Sequence, residues 1–183
     1  DGGEGDDHLI FQARTYTSYG RVETEIDGGA GDDIINVTDN YAGSTSNSNG
    51  NQYGIAKVTI DGGEGDDEIT VSGGLDISIT TGGGSDVISL TAKQYRTIVE
   101  GARNIKNDNG SSEVVDAKPI YITDFTTGES GDVLDYGDLL RNGTLEYDGS
   151  NPFATGFLSL EQSGNDTLIR FDADGSSKEE KSS

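Results

Sequence analysis

The amino-acid sequence predicts an all-β fold, a parallel β-roll (a β-solenoid) in which short strands alternate with glycine-rich turns. The main observation is a repeated motif: "DGGEGDDHLI", "DGGAGDDIIN" and "DGGEGDDEIT" begin at residues 1, 27 and 61, and a weaker copy, "TGGGSDVISL", begins at residue 81. Runs rich in Val, Ile and Thr flank the copies and alternate apolar with polar residues, which is typical of half-buried strands. The 28 glycines and a hydrophobic fraction of only 31% also argue against a thick conventional core.

Strand, turn and strand follow one another from residue 1 to about residue 92. "RVETEI" and "IINVT" flank the second turn, "AKVTI" and "EITVS" the third, and "DISIT" and "VISLTA" the fourth. The last aspartates of the turns are separated by 26, 34 and 19 residues, and the shortest step is close to two units of about nine residues, the length of one coil of a roll. The longer steps contain the polar inserts "QARTYTSYG" and "NYAGSTSNSNGNQYG". We therefore expect regular turns on one edge and long inserts on the other.

A second region follows the repeats. The pattern fades between 93 and 118, where we expect one more irregular coil. After Pro119, "GDLLRNG" is expected to form a short helix, and the tail "SSKEEKSS" to be disordered. We predict a roll over 1–118 with its inserted loops, a β-rich cap over 119–175 and a disordered tail over 176–183. The aromatic residues that can pack the cap are Tyr121, Phe125, Tyr136, Tyr147, Phe153, Phe157 and Phe171.

The net charge of the chain limits the kinds of partner that it can bind. There are 12 Lys+Arg against 34 Asp+Glu, a formal net charge of -22. Such a surface repels nucleic acid and anionic membranes and attracts cations. The absence of Cys excludes disulfides and thiolate metal sites, and no run approaches the roughly 18 apolar residues of a membrane span. Because the first residue, Asp1, lies inside a repeat, we expect the chain to be a piece of a longer protein.

The spacing of glycine and aspartate in the turns predicts calcium sites. In the pattern G-G-x-G-x-D-x-U-x the sixth residue is a carboxylate ligand and the eighth, U, is apolar. Glycine allows carbonyl oxygens of the same turn to point toward a common centre. The pattern assigns Leu9, Ile35, Ile69 and Ile88 to the core, and Asp6, Asp32 and Asp66 to the outside. The candidate ligands are the aspartates Asp7, Asp33, Asp67 and Asp86, with oxygens of Gly2, Glu4, Gly28, Ala30, Gly31, Gly62, Glu64, Gly65, Gly82 and Gly84.

Geometry favours an ion between two stacked turns. Calcium takes six to eight hard oxygens at about 2.3–2.6 Å, and neighbouring strands lie about 4.7–4.9 Å apart. An ion in the gap can therefore contact both turns, and four turns enclose about three such gaps. Magnesium fits less well because it prefers to keep its waters. A nucleotide-binding loop would need Lys-Ser/Thr after the glycines or a strand-to-helix context, and neither is present.

Other acidic residues are weaker candidates. Asp172 and Asp174 in "DADG" resemble the start of an EF-hand loop, but its twelfth position is Ser183 instead of Glu, which excludes a complete EF-hand. Asp124, Asp132 and Asp135 around "TGESGD" are candidates for a further ion site, and capping of turns and strand ends is the alternative. The degenerate unit "SGGLD", which ends in Asp76, is expected on the opposite edge.

We expect no enzymatic activity. His8 is the only histidine, it follows a ligand turn, and we interpret it as a solvated strand residue. There is no Cys, no G-x-S-x-G and no H-E-x-x-H, so no pair of nucleophile and base can be assembled. Pairs of carboxylates for glycoside hydrolysis can be drawn almost anywhere among 34 acidic residues and carry no weight.

The motifs resemble a known family. "GGEGDDHLI", "GGAGDDIIN", "GGEGDDEIT" and "TGGGSDVIS" are similar to the RTX (repeats-in-toxin) nonapeptides. "ITDFTTGESGDVLDYGDLL", "YDGSNPF" and "LEQSGNDTLIRFDADG" resemble the C-terminal target domain of very large RTX adhesins exported by type I secretion. The resemblance implies a calcium-bound β-roll at the C-terminus of a secreted or surface-attached bacterial protein that mediates cell adhesion and biofilm formation. It also implies a C-terminal signal for export through an ABC-transporter channel.

The preferred functional hypothesis is a calcium-triggered folding module, a monomer that is unfolded in the cytosol and folds on extracellular calcium during export. Two alternatives stay open. The inserts of the roll could bind a surface glycan, with the tyrosines of "TYTSYG" and "NQYGIAK" stacking on sugars. The chain could also be an accessory domain of a secreted protease, lipase or toxin.

Overall fold

The structure is a computed structural model. It describes residues 1–13, 21–39, 55–72, 76–92, 103–106, 112–115, 120–144, 147–173 and 175. The described residues are mostly β-sheet with one short helix, and none of their helices is long and apolar enough to cross a membrane. The strands are β1 Gly3–Glu4, β2 His8–Ala13, β3 Arg21–Ala30, β4 Ile34–Asp39, β5 Ile55–Glu64, β6 Glu68–Ser72, β7 Asp76–Gly83, β8 Val87–Leu90, β9 Arg103–Lys106, β10 Ser112–Val115, β11 Tyr121–Ile122, β12 Val133–Asp135, β13 Leu158–Ser163 and β14 Asp166–Phe171; the helix is α1 Gly137–Gly143.

Two parallel five-stranded sheets form the repeat region. One has the order β1-β3-β5-β7-β11, and the other has the order β2-β4-β6-β8-β12. Consecutive strands from β1 to β8 alternate between the two sheets, so each glycine turn carries the chain from one sheet to the other. All strand pairs within these two sheets are parallel. The parallel arrangement is compatible with the predicted β-roll.

The core lies between the two sheets and consists of columns of β-branched side chains. In one sheet Ile26 pairs with Ile60 and Ile60 with Ile79; in the other, Ile35 pairs with Ile69. Ile60, Ile69 and Ile79 are completely buried, and residues of both sheets belong to one apolar cluster. The prediction that Ile35, Ile69 and Ile88 enter the core is confirmed, whereas Leu9, in the first turn, is only partly buried.

Truncating the centre of this core is expected to be costly. Ile69→Ala removes three carbons from a completely buried site, and such substitutions cost about 2–5 kcal/mol in the free energy of unfolding. The neighbouring Thr70 is half-buried on the other face of the strand, so Thr70→Ala is the matched control and should cost less than about 1 kcal/mol. Urea denaturation at fixed calcium measures both. Equal effects would contradict this assignment of the core.

The region after residue 119 contributes to the same two sheets. Strand β11 pairs with β7, and β12 pairs with β8, with Leu134 opposite Ile88. The predicted short helix is confirmed as α1, and Asp138 Oδ2 accepts the N–H of Ala92 at 2.9 Å, which ties the helix to the end of β8. Within 93–118 the structure describes one antiparallel pair, β9 with β10.

A smaller apolar cluster lies beyond the sheets. Leu140, Phe157 and Leu158 are buried, and Tyr136, Tyr147 and Phe171 pack against them. The antiparallel hairpin β13–β14 contributes its first and last residues to this cluster. Of the seven aromatics that can pack the cap, four belong to this cluster, and Phe153 contacts Tyr136 edge to face with ring centroids 6.2 Å apart. Tyr121 and Phe125 are 55% and 37% exposed and lie outside both apolar clusters. The insert residues 14–20 and 40–54 and the tail 176–183 lie outside the described residues.

Candidate metal sites

A ladder of aspartates connects successive turns. The backbone N–H of Asp7 donates to Oδ1 of Asp33 at 2.8 Å, Asp33 N–H to Asp67 Oδ1 at 2.8 Å, and Asp67 N–H to Asp86 Oδ1 at 2.9 Å. A fourth bond, from Asp86 N–H to Asp132 Oδ1 at 3.2 Å, continues the ladder into the loop before β12. The four predicted aspartates are therefore brought into one line, and Asp33, Asp67 and Asp86 each use one carboxylate oxygen to join two turns.

The second oxygen of the inner aspartates has no hydrogen-bond donor. Asp33, Asp67 and Asp86 are only 1%, 2% and 0% exposed, and their Oδ2 atoms are buried without a hydrogen-bond partner among the described residues. A buried carboxylate oxygen without a donor or counter-charge is strongly unfavourable. An unpartnered row of such oxygens is the arrangement that a row of cations would stabilise.

Two buried glycines lie very close to these oxygens. A Cβ added to Gly28 would lie 2.5 Å from Asp33 Oδ2 and would overlap the carbonyl oxygen of Gly62. A Cβ added to Gly62 would lie 2.5 Å from Asp67 Oδ2 and would overlap the carbonyl oxygen of Thr81. At each glycine a carboxylate oxygen of the same turn and a carbonyl oxygen of the next turn therefore come together. There is no room for a Cβ at either position, which explains why glycine is needed.

Further carbonyl oxygens of each turn face the next turn. The carbonyl oxygen of Gly29 lies against Gly63, and that of Gly31 lies against Gly65. These close approaches require glycines in the left-handed region, and Gly63 and Gly65 have φ of 106° and 129°. The carbonyl of Glu64 points back and accepts the N–H of Gly31 at 2.8 Å. The same relations recur in the neighbouring turns, where Ala30 accepts from Gly5 and Gly83 accepts from Gly65.

The donor set fits a hard cation. The polar atoms nearest Gly28 and Gly62 are carboxylate and main-chain carbonyl oxygens, which are the ligands calcium prefers. No group of three or more His, Cys, Asp or Glu side chains converges on one point in the part of the chain that the structure describes. An ion in a gap would therefore have to take most of its ligands from carbonyl oxygens. Residues around Gly2, Gly28, Gly31, Gly62 and Gly65 would hold the ions.

Burial and mutual repulsion raise the pKa values of two ladder carboxyls. The pKa of Asp67 is raised by burial and by the nearby charges of Asp33, Asp32 and Asp66. The pKa of Asp86 is raised to about 6, first by burial and then by the charges of Asp132 and Asp67. Because these folded-state pKa values exceed the ordinary value of 3.8, the calcium-free fold binds more protons than the unfolded chain between about pH 4 and pH 6.

A pH dependence with a definite sign follows. The calcium-free fold should gain stability as the pH falls through about 6, and this gain should be complete below the unfolded pKa of 3.8. Calcium affinity should change in the opposite direction, because a carboxyl whose pKa is raised by burial holds its proton more firmly and must lose it to bind a cation. Calorimetric titration at pH 7.5 and pH 5 should show weaker binding at pH 5. Equal affinity at the two pH values would contradict the assignment of these carboxyls.

The outer aspartates form a second ladder that the sequence analysis missed. Asp6, Asp32 and Asp66 are exposed, as predicted. Their Oδ1 atoms also accept backbone N–H groups of the following turn: Asp32 N–H donates to Asp6 at 3.0 Å, Asp66 N–H to Asp32 at 2.8 Å, and Ser85 N–H to Asp66 at 2.8 Å. In the second and third turns the inner aspartate therefore accepts a backbone N–H of the preceding turn, and the outer aspartate accepts one of the following turn.

The acidic residues around "TGESGD" act as caps. Asp124 accepts the N–H of Thr81 at 2.8 Å through Oδ1 and the N–H of Gly82 at 2.9 Å through Oδ2. Asp132 Oδ2 accepts the N–H of Thr126 at 2.6 Å, and Asp135 Oδ1 accepts the N–H of Gly137 at 2.7 Å. The capping role that was the alternative for these residues is the one that their hydrogen bonds support.

The remaining candidates lie apart from the ladder. Asp172 is exposed and its N–H donates to the carbonyl of Phe157, while Asp174 lies outside the described residues. Asp76 begins β7, at the end of the strand opposite the glycine turn, as expected. His8 is exposed on β2, with Nε2 at 3.0 Å from Asn36 Nδ2, as expected for a strand residue.

The register identifies the first residue of the fourth turn. Gly63 pairs with Gly82, so Gly82 and Gly84 correspond to Gly63 and Gly65, and Thr81 takes the place of Gly28 and Gly62.

Comparisons with protein-family models, with curated proteins and with solved structures found no match. Function must therefore be argued from the geometry of the turns.

Proposed function

We propose that this chain is a calcium-binding parallel β-roll of the RTX type, in which ions between stacked glycine turns hold the fold together. One observation carries the proposal: buried Oδ2 atoms of Asp33 and Asp67 lack donors and lie beside Gly28 and Gly62, together with a carbonyl oxygen of the next turn. Two successive turns therefore bring oxygen atoms close to one another at each of these glycines. A hard divalent cation satisfies both the charge and the geometry.

The roll is supported by the order of the strands. Strands β1 to β8 alternate between two parallel sheets, the sheets share one apolar core, and the glycine turns lie in register at one edge. A coil that crosses both sheets once and returns would produce this arrangement, and β11 and β12 would form a fifth coil. Each coil then contacts only its neighbours, so the stability of the roll is approximately the sum of the stabilities of the coils and of the interfaces between them.

The magnitude of calcium binding is sufficient to control folding. Extracellular calcium modules bind at about 10⁻⁴–10⁻³ M. A site with a dissociation constant near 0.1 mM, in roughly 1 mM calcium, adds about 1.4 kcal/mol to the free energy of unfolding. Three such sites add roughly 4 kcal/mol, which is a large part of the 5–15 kcal/mol of a typical domain. Without calcium, the net charge of -22 and the unpaired inner carboxylates oppose compaction.

We infer that the calcium dependence serves export. At low cytosolic calcium the acidic chain stays unfolded and can pass through a type I secretion channel, and at millimolar calcium outside the cell it folds. In this proposal the chain belongs to the C-terminal part of a large RTX adhesin that is secreted or displayed on the bacterial surface. The likeness of "ITDFTTGESGDVLDYGDLL" to the target domain of such adhesins supports this assignment.

Chelation provides the test. Far-ultraviolet circular dichroism should show a β spectrum in 2 mM calcium that is lost in excess EDTA and regained on adding calcium back. NaCl at the same ionic strength, or MgCl₂ at the same concentration as the calcium, should restore the β spectrum much less well. Sodium carries a single charge, and magnesium keeps its waters. A β spectrum and a melting temperature that are the same in calcium and in EDTA would contradict the proposal.

A further inference from the structure

The last gap of the stack differs from the three before it. The first three gaps each begin with a glycine, Gly2, Gly28 or Gly62, beside the Oδ2 atom of the aspartate of the same turn. In the fourth turn the corresponding residue is Thr81, which is 1% exposed. A Cβ at Gly28 or Gly62 would come within 2.5 Å of that Oδ2 atom, and by register the Thr81 side chain stands at this position in the fourth turn.

Hydrogen bonds, in contrast, close the fourth gap. Thr81 Oγ1 donates toward Asp124 Oδ1 at 3.1 Å and toward Asp132 Oδ2 at 3.3 Å. Asp124 also accepts the N–H groups of Thr81 and Gly82, and Asp132 accepts those of Asp86 and Thr126. Every carboxylate oxygen that the loop presents to the fourth turn therefore has an N–H or O–H donor.

We propose that Thr81, Asp124 and Asp132 form a clamp that ends the series of calcium sites, so that the gap above Asp86 is closed by protein and takes no ion. This inference rests on the proposed function, because it states which gaps are filled. Asp86 Oδ2 is the one buried carboxylate oxygen left in this gap without a partner. The other carboxylate oxygens of this gap already accept N–H or O–H groups, and Thr81 stands where the other gaps have a glycine.

The clamp and the ion sites respond differently to calcium. When a site binds calcium only in the folded state, stability rises with the logarithm of the calcium concentration, and the slope gives the number of ions released on unfolding. Removing a site lowers that slope. Removing a clamp residue lowers stability by the same amount at every calcium concentration and leaves the slope unchanged.

The experiment is urea denaturation of the full chain at several calcium concentrations between 0.5 and 10 mM. Asp67→Asn should lower the slope by one ion, whereas Asp86→Asn, which keeps the Oδ1 acceptor for Asp67 N–H, should leave it unchanged. Asp124→Ala should shift the urea midpoint downward equally at all concentrations. Asp124→Asn, which retains the acceptor for Thr81, is the milder second variant if Asp124→Ala does not fold.

The experiment distinguishes a failure of the calcium proposal from a failure of the clamp. A wild-type slope of zero would overturn the calcium proposal itself. A slope that falls by one ion in Asp86→Asn would leave calcium binding intact and overturn the clamp. A urea midpoint that does not move in Asp124→Ala or in Asp124→Asn would also overturn the clamp, whatever the slope.

Discussion

Replacing Asp33 and Asp67 together by Asn is expected to change stability in opposite directions with and without calcium. Asn keeps an oxygen acceptor for the backbone N–H of the preceding turn, so the two bonds that these side chains accept, from Asp7 N–H and Asp33 N–H at 2.8 Å, can persist. It removes two buried negative charges whose Oδ2 atoms lack donors. In millimolar calcium the double variant loses two ligands, and its free energy of unfolding should fall by about 3 kcal/mol or more.

In excess chelator the sign should reverse. The two buried carboxylates then have no counter-charge, and removing them relieves desolvation and mutual repulsion. With trimethylamine N-oxide added to favour compact states, the variant should show at least as much β signal as the wild type. The matched control is the double variant Asp32→Asn/Asp66→Asn, because these exposed aspartates lie in the same two turns. The control should lose much less stability in calcium, and a loss equal to that of the inner pair would contradict the account.

Gly28→Ala is the second substitution with a large expected effect. The new Cβ would overlap the carbonyl oxygen of Gly62 and lie 2.5 Å from Asp33 Oδ2, and both are rigid parts of neighbouring turns. The turns must separate, and this would displace an ion bound between them. We expect a loss of at least about 3 kcal/mol in the free energy of unfolding at millimolar calcium, together with one fewer bound ion.

Gly83→Ala is the control for this substitution. Gly83 is exposed and lies in a similar turn, and its nearest neighbour would be the flexible end of the Glu64 side chain at 3.2 Å. Neither Gly28 nor Gly83 has a left-handed φ, so backbone strain does not separate the two substitutions. Melting curves in 2 mM calcium should show a large decrease for Gly28→Ala and a change of a few degrees at most for Gly83→Ala. Similar decreases in melting temperature for the two variants would contradict the assignment of an ion site beside Gly28.

The sequence predicted the features that depend on local patterns. Alternation of apolar and polar residues placed Ile35, Ile69 and Ile88 in the core, because neighbouring side chains of a strand point to opposite faces. The spacing of the turns aligned Asp7 with Asp33 and Asp67, because identical turns stack when their flanking strands pair in register. The short helix α1 was also predicted from its composition.

The features that the sequence analysis missed depend on contacts between distant segments. "TGESGDVLD" carries its aspartate and its apolar residue at the same spacing as "TGGGSDVIS", but it lies beyond a long irregular stretch and lacks the middle glycines. Only the pairing of Val133 with Val87 brings Asp132 onto the ladder. The outer ladder was missed for a related reason, since no local pattern tells which backbone N–H will meet an exposed carboxylate.

Calorimetric titration of calcium into chelator-stripped protein measures directly whether ions bind between the stacked turns. The account predicts heat from the binding of about three ions per chain, one in each gap between the first four turns, accompanied by a gain of β structure. No detectable heat, or a β spectrum that is complete before calcium is added, would contradict it.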